Sequence, residues 1–587
     1  MPLRIVIIIV LGLMAYACML PTPFRVMDDR ISIIENPAIK STTNIPSMFK
    51  EGYFHDQSYY RPLINLSFMA EYQAFRFNSF FYNCDNLILH ILNALLVFLL
   101  VSRLLNNQSI GFWTGVLFVI HPVQWEAICN VPGRSILLSA FFVLSSFVLL
   151  LEYYKSHRQL CLLLLLPTFF LGLLCKESTG VLPLVVMAYF LIDRTEGWSQ
   201  KIKILSIFFI GIAGYMVLRS HFGVTNVHHP GSPQAMILGF ITFLCSMITD
   251  LRLFILPIDL HYDRSMVLLT SLSEPRAWVT CIFWSVVLLG VVSFYKKTNP
   301  FILFLIAWFF IELLPVSQLV ASIGVGVGHI STAEHFLYLA SIPVFISLVL
   351  AFQWAYEQNL RRKFLKESFL KFLAGGFLVF LFLTSVEQSI YASNEYNMVI
   401  RSLKIEPMNP RLQGVLAMLS VFRNDIPDAE IHFRAAIKAE PFNPTYHAGL
   451  GTALCQQGKW IEGMEQFVAF DPIEKDKSLV ERQEKLTMKY LEQQLKQGKT
   501  FDARGWLAIG IYHAKNNQSP QAIDAFLKST QLNPGQIDAW FNLGSIYEAS
   551  KNWPEARIAY KKLLTLKGIS EFQRNFALKH LALMEDK

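Results

Sequence analysis

The amino-acid sequence predicts an all-α protein in two parts: a polytopic membrane helix bundle of about eleven transmembrane helices, then a helical-repeat solenoid. Three observations carry this. Of 587 residues, 53% are hydrophobic and only 16% charged, a mixture too apolar for a water-soluble globule. The apolar stretches lie before about residue 390, whereas Lys, Glu, Gln and Asn crowd the remainder. Beyond that boundary, aromatic and small residues recur every 34 positions. The expected division is a membrane domain over 1–390 with long outer loops 21–86, 221–276 and 319–335, a linker over 391–408, and a repeat domain over 409–587.

A helix needs about 20 apolar residues to cross about 30 Å of hydrocarbon, where every backbone polar group must be satisfied internally. On that criterion spans fall near 4–20, 87–105, 110–130, 135–154, 160–175, 178–193, 203–220, 277–295, 300–318, 336–355 and 369–388. The first resembles a signal peptide, but further spans follow and Pro21-Thr-Pro-Phe is a poor cleavage context, so a retained helix with a cytoplasmic N-terminus is expected. A further apolar stretch, Ala235 to Leu256, contains Asp250 and Arg252. The basic groups Arg103, Lys155 with Arg158, Arg194 with Lys201 and Lys203, Lys296-Lys297 and Arg361-Arg362-Lys363 belong on the cytoplasmic side. An even number of crossings must then separate Lys203 from Lys296, so 235–256 is read as lying at the outer surface or re-entering. Eleven crossings place the long loops and the repeats together on the far side, in a bacterial periplasm or, alternatively, the lumen of the endoplasmic reticulum.

The net charge of +8 is scattered at span ends and forms no stripe or tract, which argues against nucleic acid as a partner. The eight cysteines show no CxxC pair and no His at zinc spacing, so neither a disulfide framework nor a metal site is expected.

In the last third, Trp506-Leu-Ala-Ile-Gly510 and Trp540-Phe-Asn-Leu-Gly544 are 34 residues apart, as are Ala522 and Ala556, Phe526 and Tyr560, Phe433 and Phe467, and Pro410 and Pro444. This is the tetratricopeptide period, in which small residues let paired helices approach. Two repeats are expected at 409–472, a less regular helical section at 473–499, two more repeats at 500–568, and a capping helix over 569–587.

Ionisable side chains beside spans are costly and mark functional candidates. Asp28-Asp29 follows the first span; paired carboxylates at a water–lipid boundary suit a general base, or they simply begin a surface helix near Arg30. His121-Pro-Val-Gln-Trp-Glu126 with Gly133-Arg134 suits a phosphate or sugar site, or a structural Glu126–Arg134 pair. Lys176-Glu177, Glu334-His335, Tyr60-Arg61 and His90 fall on the same outer side. Asp263 and Arg264 lie in the second long loop, where contact with an acceptor or lipid head group competes with plain solvation. No GxxxxGK[ST], GxGxxG or GxSxG motif occurs, which gives no support to nucleotide-driven transport, dinucleotide binding or serine hydrolysis.

Residues 24–390 resemble the C-type glycosyltransferase superfamily, particularly the transmembrane and tetratricopeptide-repeat O-mannosyltransferase-like group and its bacterial relatives. The matching stretches are Asp28-Asp29, Tyr60-Arg-Pro-Leu63, His90-Ile-Leu-Asn93, His121 through Ala127 to Gly133-Arg134, Cys175-Lys-Glu177, Arg252 to Pro257 and Ala333 to Leu339, in the family's order. The resemblance implies transfer of a sugar, with mannose the candidate, from a polyprenyl-phosphate donor to a protein or other acceptor, with anomeric inversion. It makes Asp28 or Asp29 the base and gives donor or phosphate binding to Arg61, His121, Glu126, Arg134, Lys176, Glu177, Glu334 and His335. The family usually has Arg where this chain has His335, which holds less positive charge at neutral pH. The lipid-linked sugar is a substrate, no cofactor is implied, and divalent-metal dependence is left open. Membrane lipid is one expected partner, and a polypeptide bound by the repeats is another. A non-catalytic membrane-anchored repeat scaffold and a lipid-linked sugar flippase are the alternatives; the intact acidic and basic set favours transfer over the scaffold, and the absence of paired interrupted half-spans disfavours the flippase.

Overall fold

The computed structural model describes the chain except residues 54–58, 194, 224–231, 295–298, 321–323, 327, 363–365, 460–461, 464–465, 467–500 and 585–587. It is nearly all helical and divides into two compact units, Met1–Asn409 and Pro410–Lys587. Helices of ten or more residues are numbered here in chain order.

In the first unit these are α1 (Pro2–Tyr16), α2 (Pro62–Phe75), α3 (Ser79–Leu104), α4 (Gln108–Ile120), α5 (Arg134–Ser156), α6 (Gln159–Leu173), α7 (Leu182–Ile192), α8 (Trp198–His221), α9 (Pro233–Leu253), α10 (Pro275–Phe294), α11 (Pro300–Leu313), α12 (Leu337–Arg362), α13 (Glu367–Ala392) and α14 (Glu395–Ile405). Among the described residues, eight apolar helical segments are long and apolar enough to cross a membrane, the 233–253 segment among them, and four more are shorter. The shortening has a local cause. The third expected span, 110–130, stops at Ile120 because Pro122 cannot continue a helix, and the chain turns through Pro122–Gln124 and Trp125–Ile128 before α5 begins at Arg134.

Helix ends alternate between the two ends of the bundle. The Tyr215 hydroxyl near the end of α8 donates to the Tyr60 carbonyl at 3.3 Å, and the Phe254 carbonyl just after α9 accepts from His121 at 3.0 Å. Leu238, early in α9, packs with Leu269 and with Ala277 at the start of α10. Between these ends, the Trp284 indole N–H of α10 donates to the Leu244 carbonyl of α9 at 2.9 Å.

The first outer loop is folded. Ile33, Ile39, Met48, Ile64 and Phe68 form a buried cluster beneath α2. The second and third long loops pair as a small antiparallel sheet of β1 (Ser265–Val267), β2 (Gly324–Gly326) and β3 (His329–Ser331) in the order β1-β3-β2. Ser265 faces Ser331 in register, which brings Arg264 alongside Glu334. The segment 391–408, expected as a linker, is helical over Glu395–Ile405 and belongs to the first unit.

The second unit holds α15 (Pro410–Phe422), α16 (Ile426–Ala439), α17 (Pro444–Gln456), α18 (Ala503–Lys515), α19 (Ser519–Leu532), α20 (Ile537–Ala549), α21 (Trp553–Leu564) and α22 (Glu571–Leu583). The pairs α15–α16, α18–α19 and α20–α21 follow the 34-residue period. A Cβ at Gly510 would collide with the Phe526 ring and one at Gly544 with the Tyr560 ring, so glycine permits the close helix crossing. The capping helix carries a full capping box at Ser570 and Gln573, which satisfies its first backbone donors. Phe467 and the irregular section 473–499 lie outside the described residues, as do Arg194, Lys296, Lys297 and Lys363 of the basic loops.

Candidate functional site

Polar side chains gather at the bundle end that carries the folded loops. Asp28 and Asp29 follow α1 but have different surroundings. Asp29 is 2% exposed, its Oδ2 accepts the Arg25 N–H at 2.9 Å, and its Oδ1 has no hydrogen-bond partner. Burial pushes its carboxyl up to about 7, opposed by Arg25 and reinforced by Asp28 and Glu395. Asp28 is half-buried and accepts a 3.4 Å hydrogen bond from the Tyr262 hydroxyl. Burial likewise raises the Tyr53 hydroxyl to about 12; Arg61, Asp28 and Asp29 all act on it, and the Arg61 guanidinium lies 5.9 Å from its ring.

Arg61 is held by Glu177. Its Nε donates to Glu177 Oε2 at 3.0 Å and its Nη2 lies 2.9 Å from the same oxygen. The Tyr60 N–H donates to the other carboxylate oxygen at 3.0 Å. Next to them sits Lys176. Its amine is lowered to about 7 by burial first and by the Arg61 charge second, against the pull of Glu177 and Glu126.

Glu126 is 3% exposed, and its Oε1 lies 3.1 Å from His335 Nδ1 while its Oε2 accepts the His335 N–H at 2.9 Å. Burial alone would raise this carboxyl, but the His335 contacts prevail and hold it below its usual range. Glu334 accepts from Trp125 Nε1 at 2.6 Å, from Arg264 Nη2 at 2.9 Å and from the His261 N–H at 3.2 Å. The side-chain contacts make two local pairs, Arg61 with Glu177 and Glu126 with His335.

Two sequence candidates, Arg134 and His121, are buried among protein partners. Arg134 is 2% exposed, and its guanidinium donates to Glu71 Oε1 at 2.8 Å, Asn86 Oδ1 at 2.7 Å and the Tyr82 carbonyl at 3.0 Å. It ties α2 and α3 to α5, and its ionic partner is Glu71, not Glu126. The signal for Glu71 was present, since it falls on the apolar face of α2 three and seven residues after Phe68 and Ile64. His121 is fully buried. Its Nδ1 accepts the Val123 N–H at 3.2 Å and its Nε2 faces the Phe254 carbonyl at 3.0 Å. A carbonyl can only accept, so the ring is neutral with its proton on Nε2, consistent with burial lowering its pKa to about 4. Both ring nitrogens have partners within the protein. His90 is likewise buried, between the Tyr338 hydroxyl and the Val119 carbonyl.

Sequence reasoning missed Tyr53, Tyr262, Arg25, Glu395 and Glu406. Glu395 accepts the Val26 N–H at 3.0 Å, a contact across 369 positions that no local pattern announces. Among the described residues no group of three or more His, Cys, Asp or Glu is placed to hold a metal. An apolar cavity of about 440 Å³ lies away from the site between α1, α4 and α13, lined by Leu11, Phe112, Ile120 and Phe382 among others.

Residues 507–568 match the tetratricopeptide repeat family model. Protein O-mannosyl-transferase F38B6.6 of Caenorhabditis elegans is 24% identical over 58% of this chain and 49% of its own length. Protein O-mannosyl-transferase TMTC3 is 22% identical over 89% of this chain and 63% of the Mus musculus protein, and 22% identical over 90% and 64% for the Homo sapiens protein. The chain spans about half to just under two thirds of these relatives' length. The crystal structure of YrrB, a tetratricopeptide protein with an unusual peptide-binding site, is 18% identical over 31% of this chain and 97% of its own, with a TM-score of 0.17, and carries no weight for the site. With its apolar helices, this likeness marks a multi-pass membrane protein. The chain is thus similar, at 22–24% identity, to proteins named protein O-mannosyl-transferase, and it carries a tetratricopeptide repeat match in its second unit.

Proposed function

We propose that this protein transfers a sugar, mannose by analogy with its relatives' names, from a polyprenyl-phosphate donor to a polypeptide hydroxyl, with inversion, on the membrane face opposite the cytoplasm. The observation that carries this reading is a half-buried carboxylate, Asp28, held by the Tyr262 hydroxyl, in the same folded loop as the Glu177-bound Arg61 that acts electrostatically on Lys176. Inversion requires the acceptor oxygen to attack the anomeric carbon opposite the leaving phosphate. A base must therefore stand on one side of the sugar and positive charge on the other.

Asp28 is the base in this reading. It reaches solvent and takes the Tyr262 hydrogen bond on Oδ2, whereas Asp29 is enclosed. Lys176 and Arg61 face the leaving phosphate, Arg61 oriented by Glu177. Glu126 holds His335 at the same rim, so the histidine adds donor contact without the full charge of an arginine. Arg134 and His121 support the scaffold. The repeats hold the polypeptide acceptor.

The full chain reconstituted in vesicles should transfer mannose from a polyprenyl-phosphate donor to a Ser- or Thr-containing polypeptide and give no product from a nucleotide sugar alone. Product formed from the nucleotide sugar without lipid donor would sink the donor assignment.

A further inference from the structure

The two halves of the proposed site come from distant parts of the chain, one carrying Asp28 and Asp29 and the other carrying Tyr262 and Arg264. The helix Glu395–Ile405 touches both through one stripe. At its start Glu395 accepts the Val26 N–H on both carboxylate oxygens at 3.1 and 3.0 Å, two residues before Asp28. In its middle the Ser402 hydroxyl accepts the Tyr262 N–H at 3.1 Å. Just past its end Glu406 accepts from His261 Nε2 and the Ser265 N–H, both at 2.9 Å, and from the Ser265 hydroxyl at 2.7 Å. Positions 395, 402 and 406 fall on one helical face, and Met398, Val399 and Ser402 on that face are buried. Asn409 extends the hold by donating to the Asp263 carbonyl at 3.0 Å.

We propose that Glu395–Asn409 is a positioning strap, in which Glu395 fixes the loop of the acid pair and Glu406 fixes the loop of Tyr262 and Arg264, so that the Tyr262 hydroxyl stays on Asp28. Hydrogen bonds from backbone N–H groups to a carboxylate are among the stronger ones in proteins. Losing either glutamate frees one loop and leaves the other held. The two ends also differ electrostatically. Glu395 is one of the charged groups acting on Asp29, with Arg25 and Asp28, whereas Glu406 faces His261 and Ser265.

This inference rests on the proposed transfer for its kinetic part only. In the reconstituted full chain, hydrogen exchange reads the strap without any activity. Glu395→Gln should speed exchange at residues 25–29 at least tenfold with 259–265 unchanged, and Glu406→Gln should do the reverse. Kinetically, both variants should lower kcat about tenfold or more with donor KM within threefold. Unchanged exchange in both variants, or equal loosening of both loops in each, overturns the strap whatever the activity. The selective exchange pattern without any transfer activity would keep the strap and count against the transferase reading alone.

Discussion

The repeat unit and the polar end of the membrane unit are built on opposite rules. In the repeats, Gly510 and Gly544 each meet an aromatic ring 16 residues on, Phe526 and Tyr560, and neighbouring helices supply most of the packing. At the polar end, partners lie 63 positions apart for Arg134 and Glu71, 116 for Arg61 and Glu177, and 209 for His335 and Glu126. The first design repeats a local solution, and the second assembles a unique one from charges that cost free energy unless all are matched.

The largest expected effect falls on the polar end. Asp28→Asn should lower kcat by about 100-fold or more, the range lost with a general base, while thermal unfolding of the purified protein shifts little. Full activity in Asp28→Asn would move the base to Asp29 or remove it. Next, Arg134→Met strands Glu71 in an apolar site and should destabilise the membrane unit by about 3–5 kcal/mol, seen as lost monodispersity in detergent; Arg134→Met with Glu71→Met together should recover much of it. Donor binding lost in Arg134→Met with stability intact would contradict a scaffold role.

In the repeats, Gly510→Val forces a side chain against the Phe526 ring and should cost about 1–3 kcal/mol, melting the repeat unit earlier while Arg61 and Glu177 chemistry is untouched. The smallest effect is a change of slope. Asp29 sits near 7 instead of 3.8, so between about pH 4 and 7 the folded chain holds a proton that the unfolded chain has released. Stability therefore falls as pH rises through that window and levels off above it. Asp29→Asn should flatten this portion of a melting-temperature profile; an unchanged slope would mean Asp29 is not the buried acid described.

Hydropathy and the 34-residue period made the two-part fold legible, because both are local. Lys176, Glu177, Glu126, Glu334 and His335 could be singled out too, since each lies beside an apolar stretch. Their pairings could not. The choice between Glu71 and Glu126 for Arg134 depends on which helices pack together, and the role of residues 391–408 depends on loops more than 130 positions earlier. A polar stretch between an apolar helix and a repeat array reads as a linker until Glu395, Ser402 and Glu406 are seen to share one buried stripe.

The central claim is an inverting transfer in which Asp28 acts on the acceptor hydroxyl. Its most direct test is the anomeric configuration of the sugar on a polypeptide product made by the reconstituted chain from a polyprenyl-phosphate mannose of known configuration, with Asp28→Asn alongside. The account predicts the opposite anomer from the donor and product reduced about 100-fold or more in the variant. Retained configuration, or equal product from both proteins, would contradict it.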